Sequence, residues 1–143
     1  KDNFGMTALH FAVKDGALDV TKLLIDASCK VNSKDVDGKV PMMWACEYGH
    51  LDCAKYLAHH SAHIDGKDKS QRSPLLYACL NNYENVAVWL VKKAADPHHQ
   101  DLQRDSPVSV AEENGLIELK RLLKKRRNDT EEDEEEDEGE EGD

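Results

Sequence analysis

Residues 2–12 read DNFGMTALHFA, and the same pattern returns 33 residues later as DVDGKVPMMWA at 35–45. It returns twice more, as DKSQRSPLLYA at 68–78 and as DLQRDSPVSVA at 101–111. Each copy opens with an aspartate and closes with an alanine, and the four copies align without a gap. A fixed period of about 20–50 residues is typical of proteins built from stacked repeats, in which each repeat contacts its neighbours.

Each copy predicts a turn followed by two helices. Aspartate with glycine or polar residues, as at 35–38, favours a tight turn. Ser73 and Pro74 are typical of a helix start, with the hydroxyl as N-cap and the proline at the first helical position. Gly16 is typical of a left-handed helix end, and a second amphipathic segment follows it. We therefore predict four helix–turn–helix units that share one core, over roughly 2–34, 35–67, 68–100 and 101–127.

The first unit carries the residues by which a known family is recognised. Gly5, Thr7, Leu9, His10 and Ala12 resemble the signature D-x-x-G-x-T-P-L-H-x-A of the ankyrin repeat. The resemblance covers residues 1 to about 127 and implies an all-α solenoid whose repeats have short β-hairpin or loop tips. We expect an ankyrin-repeat domain over 1–128 and a disordered acidic tail over 129–143.

The fourth unit departs from the others at positions that face the next unit. Glu112 stands where Val13, Cys46 and Cys79 stand in the earlier units, and Lys120 replaces a small residue. A polar outer face is what a terminal capping repeat requires, so we expect the array to end here. The first unit has ordinary internal residues, and the chain opens with Lys1; we expect a piece of a longer protein with further repeats upstream.

The formal net charge of −10 is concentrated at one end of the chain. Residues 131–143 hold 11 of the 29 acids and no base, whereas the other 130 residues carry 19 positive and 18 negative side chains. A near-neutral body argues against direct nucleic-acid binding. The basic run at 124–127 complements a helix C-terminus, and nuclear import is the alternative interpretation. The acidic segment is expected to lie over this run or over a basic partner.

No constellation in the sequence predicts catalysis or a cofactor. Phosphate-binding glycine loops and nucleophile motifs are absent, and no apolar run approaches the roughly 18–20 residues that span a bilayer. The four cysteines lack a C-x-x-C pair and are expected to be reduced, packed thiols. His59 and His63 have the spacing of a helical metal pair, but solvated loop histidines are the preferred interpretation. We expect a non-enzyme of the cytoplasm or nucleus without cofactors, small-molecule substrate or membrane insertion.

The resemblance places partner binding in a concave groove formed by the hairpin tips and the first helix of each unit. Phe11, Trp44 and Tyr77 occupy the same place in successive units and form an aromatic ladder there. The rings are either packed between helices or exposed as interface anchors, since aromatic residues dominate binding hot spots. The predicted partner-binding residues are Phe4, Met6, Phe11, Asp37, Lys39, Trp44, Glu47, Tyr48, Arg72, Tyr77, Leu80 and Asn81.

The stretch from Pro41 to Tyr48 also resembles the ankyrin segment of the euchromatic histone H3 lysine-9 methyltransferases. The resemblance implies a cage for methylated lysine in which Trp44 and Glu47 match cage residues and Tyr77 replaces a tryptophan. Lys39 stands where a third tryptophan is expected, and its charge would repel the ligand ammonium.

We therefore predict a non-catalytic protein-interaction module of a larger intracellular protein, monomeric as this fragment. One alternative is a histone-tail or methyl-lysine reader with a partial aromatic cage, in which the acidic tail assists against a basic peptide. The other is a regulatory appendage of an enzyme or channel whose remaining part lies outside this chain.

Overall fold

A computed structural model of the chain describes residues 1–126, so the predicted tail at 129–143 lies outside the described residues. The described part is helical and contains no strand. Seven helices are bounded on both sides, and an eighth, α8, spans residues 117–126. In chain order, the seven are α1 Ala8–Lys14, α2 Leu18–Asp26, α3 Pro41–Glu47, α4 Leu51–His59, α5 Pro74–Leu80, α6 Glu84–Lys92 and α7 Pro107–Asn114.

The helix boundaries follow the predicted start and stop residues. Thr7, Ser73 and Ser106 are N-caps whose hydroxyls accept from the backbone N–H three residues on. Val40 is the N-cap of α3 and has no side chain that can do so. Gly16 and Asn82 end the first helices of their units with φ of 70° and 62°, a left-handed conformation that glycine and asparagine tolerate best.

The units stack side by side and share one core. The first helix of each unit packs on the first helix of the next, α1 on α3, α3 on α5 and α5 on α7, and each of α1, α3 and α5 also packs on the second helix of its own unit. The apolar side chains between them are fully buried, among them Leu57, Leu75, Leu76 and Leu90. This arrangement confirms the all-helical solenoid predicted from the 33-residue period.

The fourth unit has the polar outer face that was predicted for a capping repeat. Val13, Cys46 and Cys79 are fully buried, whereas Glu112 at the same position is exposed. Thr21 is likewise fully buried, and Lys120 at its position is exposed. The charged residues therefore stand where no further unit covers them in this structure.

The hairpin tips are tight turns, too short to form strands within residues 1–126. In each unit the backbone N–H of the first aspartate donates to the carbonyl four residues on, as from Asp35 to Lys39 at 3.0 Å. A second backbone hydrogen bond completes each turn, as from Gly38 to the Asp35 carbonyl at 3.0 Å. Each tip immediately precedes the first helix of its unit, and we call the surface formed by the row of tips and these helices the groove.

Candidate functional site

The aspartate that opens each unit holds its turn together. One carboxylate oxygen of Asp68 accepts from the backbone N–H groups of Ser70 and Arg72, both at 2.9 Å. Asp2, Asp35 and Asp101 make the equivalent pair of bonds in their own turns. An ionised acceptor satisfies two backbone donors at once, and charge-assisted hydrogen bonds of this kind are stronger than neutral ones. The aspartate thereby fixes the shape of every tip.

Neighbouring tips are joined by one backbone hydrogen bond each. Val36 donates to the carbonyl of Phe4 at 2.9 Å, and Lys69 donates to that of Asp37 at the same distance. Leu102 donates to the carbonyl of Ser70 at 3.0 Å. The three bonds form a regular series because the units are related by the same step. One wall of the groove is thus a continuous row of connected turns.

The second carboxylate oxygen of the turn aspartate accepts a hydrogen bond from the aromatic residue of its unit in two of the units. Trp44 donates its indole N–H to Asp35 Oδ2 at 3.0 Å, and the Tyr77 hydroxyl donates to Asp68 Oδ2. Phe11 has no polar atom with which to reach Asp2. Tyr77 is 6% exposed, Trp44 is partly buried and Phe11 is 42% exposed. The ladder therefore runs from a packed ring in the third unit to an accessible ring in the first.

Lys39 lies inside the cluster that was predicted as a methyl-lysine cage. Its ammonium forms an ion pair with Glu47 and sits 3.7 Å from the centre of the Trp44 ring and 4.5 Å from that of Tyr77. Lys39 is 7% exposed overall. Aromatic faces and a carboxylate both attract a cation, so the three residues enclose this chain's own ammonium. Trp44, Glu47 and Tyr77 are brought together as the resemblance implied, but around an internal ligand.

Arg72 continues the same arrangement one unit further on. Its guanidinium lies 5.8 Å from the centre of the Tyr77 ring, and its Nε donates to Asp101 Oδ2 at 3.1 Å. Burial raises the pKa of the Tyr77 hydroxyl, and its bond to Asp68 adds to the shift. Burial alone would raise the pKa of Asp101, but backbone donors and Arg72 outweigh it and lower that pKa. The Tyr77 hydroxyl therefore keeps the proton that it donates to Asp68, and the Asp101 carboxylate stays ionised and accepts from Arg72.

The predicted binding residues differ in what they offer to a partner. Phe4 is 67% exposed at its tip, and Tyr48 is 41% exposed beside the end of α3. Tyr48 stacks on Trp44 with ring centres 5.9 Å apart, and Lys14 Nζ lies over both rings. Asp37 and Asn81 are exposed; Met6, Glu47, Arg72 and Leu80 are partly buried; Lys39 and Tyr77 are enclosed.

His10 is the signature histidine, and it is completely buried. Its Nδ1 accepts from the Thr7 backbone N–H at 3.0 Å, and its Nε2 lies 3.0 Å from the Lys39 carbonyl oxygen. A neutral ring with its proton on Nε2 satisfies both contacts, an assignment that rests on the hydrogen bonds. The ring thus ties the start of α1 to the neighbouring tip.

We expect the protein to lose stability in mild acid because of His10. Burial lowers the pKa of His10 below its ordinary value of 6.5, so the unfolded chain binds more protons than the folded one below about pH 6.5. The urea midpoint should therefore fall as the pH drops from 6.5 toward 5. The variant His10→Leu carries the residue that the third unit has at the equivalent position, Leu76. Its urea midpoint should fall less over this pH range. An equally steep fall in the variant would contradict the assignment.

The cysteines and the candidate metal ligands could form further sites within residues 1–126. All four cysteines are free thiols, and three of them, Cys46, Cys53 and Cys79, are buried. Burial raises the pKa of the Cys46 thiol. Within residues 1–126 no three histidine, cysteine or acidic side chains group to hold a metal ion. Among residues 1–126 we find no helix with the length and hydropathy of a membrane span.

A hollow beside the loops that follow α2 and α4 was not predicted from the sequence. It has a volume of about 240 Å³, and its lining includes Lys34, Lys67 and His63 around Met43 and Gly66. Lys34 and Lys67 are 33 residues apart, so they occupy equivalent positions in neighbouring units, and the repeat register could have predicted that they lie close together. Lys67 donates to the carbonyl oxygen of Asp65 at 2.7 Å, and no ligand-specific arrangement follows from these contacts.

Comparison with known proteins agrees with the repeat architecture. A family model described as ankyrin repeats, three copies, matches residues 9–101. A search of curated proteins finds no match, so it gives no support to the resemblance to the histone methyltransferases. The family model covers well over half of the chain, and the four stacked helical units agree with it. The chain therefore belongs to the ankyrin-repeat family.

Proposed function

We propose that this chain is a non-catalytic module that binds a protein partner in the groove, with Phe4, Phe11 and Tyr48 as its main anchors. Ankyrin repeats in general imply protein partners. The observation that carries the proposal is the exposure of these three rings at the groove, 67%, 42% and 41%. Large exposed aromatic residues yield the most energy when a partner removes them from water.

The polar residues of the groove give this surface its selectivity. Lys14 lies over the Tyr48 ring, Asp37 is exposed on the tip next to that of Phe4, and Asn81 adds a neutral polar group further along. Surface charges of this kind contribute on the order of 0–1 kcal/mol each, so they select among partners more than they hold them. Tyr77 and Lys39 support the groove from within, because both are enclosed.

The cluster around Lys39 argues against the alternative function of a methyl-lysine reader. The positions that would hold a ligand ammonium already hold the Lys39 ammonium, which is paired with Glu47. A foreign methylated lysine would have to displace it and leave a buried charge without its partner. A regulatory role toward an enzyme or channel uses the same groove and is one form of the proposed interaction.

Site-specific photo-crosslinking captures the partner directly and so tests this proposal. A photoreactive phenylalanine analogue replaces Phe11 in one sample and Lys55, exposed on the outer side of α4, in the matched control. The proposal predicts a discrete crosslinked partner from a cell extract with the probe at position 11 and none with the probe at 55. Equal products from both positions, or products from position 55 alone, would contradict it.

A further inference from the structure

The last described helix carries a stripe of exposed cations. Lys120, Arg121, Lys124 and Lys125 are all exposed on α8. The spacing i, i+1, i+4 and i+5 places them on one side of a helix. Leu119 on the same helix is fully buried against the rest of the unit. We call these four residues the basic stripe.

Within the described residues, the basic stripe has no partner at ion-pair distance. Lys39, Lys67 and Arg72 each form an ion pair with an acid. Within residues 1–126 no member of the basic stripe forms such an ion pair. Four positive charges on one side of a helix repel one another, and α8 offers a single acid, Glu118, so an acidic segment laid over them is favoured.

The segment with the complementary charge is in the same chain. Residues 131–143 hold 11 acidic side chains and no basic one, and only residues 127–130 separate them from Arg126. An extended chain advances about 3.3–3.6 Å per residue, so this link can reach about 17 Å. The basic stripe extends only about 8 Å along the helix. The acidic segment can therefore turn back and cover it.

We propose that the acidic segment 131–143 binds the basic stripe of α8 within the same molecule and shields it from other polyanions. A short link gives the segment an effective concentration on the order of millimolar, so weak individual ion pairs suffice. The attraction is between exposed charges and is screened by salt, with a Debye length of about 3 Å at 1 M. A basic partner that takes up the acidic segment exposes the stripe.

Competition by the free segment tests the proposal. The probe is a fluorescein-labelled peptide of residues 131–143, and its anisotropy is followed at low salt. In the first variant, five acids of the segment are neutralised in the full chain, namely E131Q, E132Q, E134Q, E135Q and E136Q. This variant should bind the probe at least about tenfold more tightly than the unmodified chain, in which the segment competes internally. Salt at about 0.5 M should abolish the difference.

A second full-chain variant controls for net charge by neutralising five exposed acids outside the segment, D15N, D19N, D52N, E112Q and E113Q. It should bind the probe no better than the unmodified chain. Two pairs of charge reversals are then added separately to the variant with the five neutralised glutamates. Lys120→Glu with Lys124→Glu should remove binding of the probe. Lys55→Glu with Lys92→Glu should leave its affinity within about twofold. Equal binding by the unmodified and the segment-neutralised chain, or no binding by the latter, would overturn the proposal. An equal loss of probe binding from both pairs of reversals would also overturn it, because the probe would then be attracted by the net charge of the protein and not by the basic stripe.

Discussion

Replacement of Leu90 by alanine is expected to lower the free energy of unfolding by about 2–5 kcal/mol, the range found for buried leucines. Leu90 lies in α6 and is fully buried in the shared core. The loss has two parts. The removed methyl and methylene groups no longer contribute their free energy of burial, and the neighbours do not fill the cavity that remains. Urea unfolding followed by circular dichroism measures the change.

The effect of Leu90→Ala should reach the whole array. Four units are close to the minimum of about three that a stable stack needs, so one weakened interface lowers the common transition. Lys92→Ala on the same helix is the matched control, because Lys92 is exposed. It should change stability by less than about 0.5 kcal/mol. An unchanged midpoint for Leu90→Ala would show that the repeat register is wrong.

Asp68→Ala is expected to have the second largest effect, about 3 kcal/mol of lost stability. Asp68 is 4% exposed, and its carboxylate accepts from the Ser70 and Arg72 backbone and from the Tyr77 hydroxyl. Its removal leaves three donors without this acceptor: the hydroxyl of the buried Tyr77, the backbone N–H of the partly buried Arg72 and that of the exposed Ser70. Each buried donor left unsatisfied costs about 1–3 kcal/mol, and the three are not additive. Thermal and urea unfolding measure the loss.

Asp2 offers a matched control for Asp68, because it has the same place in the first unit. Its carboxylate accepts from the Phe4 and Met6 backbone, but Asp2 is exposed, and the Phe11 ring has no polar atom to donate to it. Water can replace the lost acceptor, so Asp2→Ala should cost about 1 kcal/mol or less. Equal losses at both positions would contradict the view that the aromatic hydroxyl and burial make the difference.

The fold was predictable from the sequence because its determinants are local and repeated. The period of 33 residues showed which segments are equivalent, and cap residues such as Ser73 and Gly16 marked where helices begin and end. The exposed Glu112 of the last unit followed from comparison with Val13 at the same position. The helix α3 begins at the predicted position although its N-cap, Val40, makes no side-chain cap and is instead buried in the core.

The roles of the groove residues were not predictable, since they depend on contacts between a turn and the helix that follows it. The sequence placed Phe11, Trp44 and Tyr77 at one position but did not show that two of them bond the turn aspartate. Lys39 was expected to repel a ligand from the cage, but the sequence did not show that its own ammonium lies between the Trp44 and Tyr77 rings. Of the three rings, the two that carry a polar atom bond the turn aspartate and are the more buried ones, whereas Phe11 is exposed.

The most direct test of the groove as the binding surface measures stability and affinity on the same samples. Phe11→Ala combined with Tyr48→Ala is compared with the unmodified chain for the partner captured through position 11. Because both rings are exposed, the melting temperature should stay within about 3 °C. Affinity should fall by about 2 kcal/mol or more, roughly 30-fold. Normal affinity in a folded double variant would contradict the assignment of the groove as the binding surface.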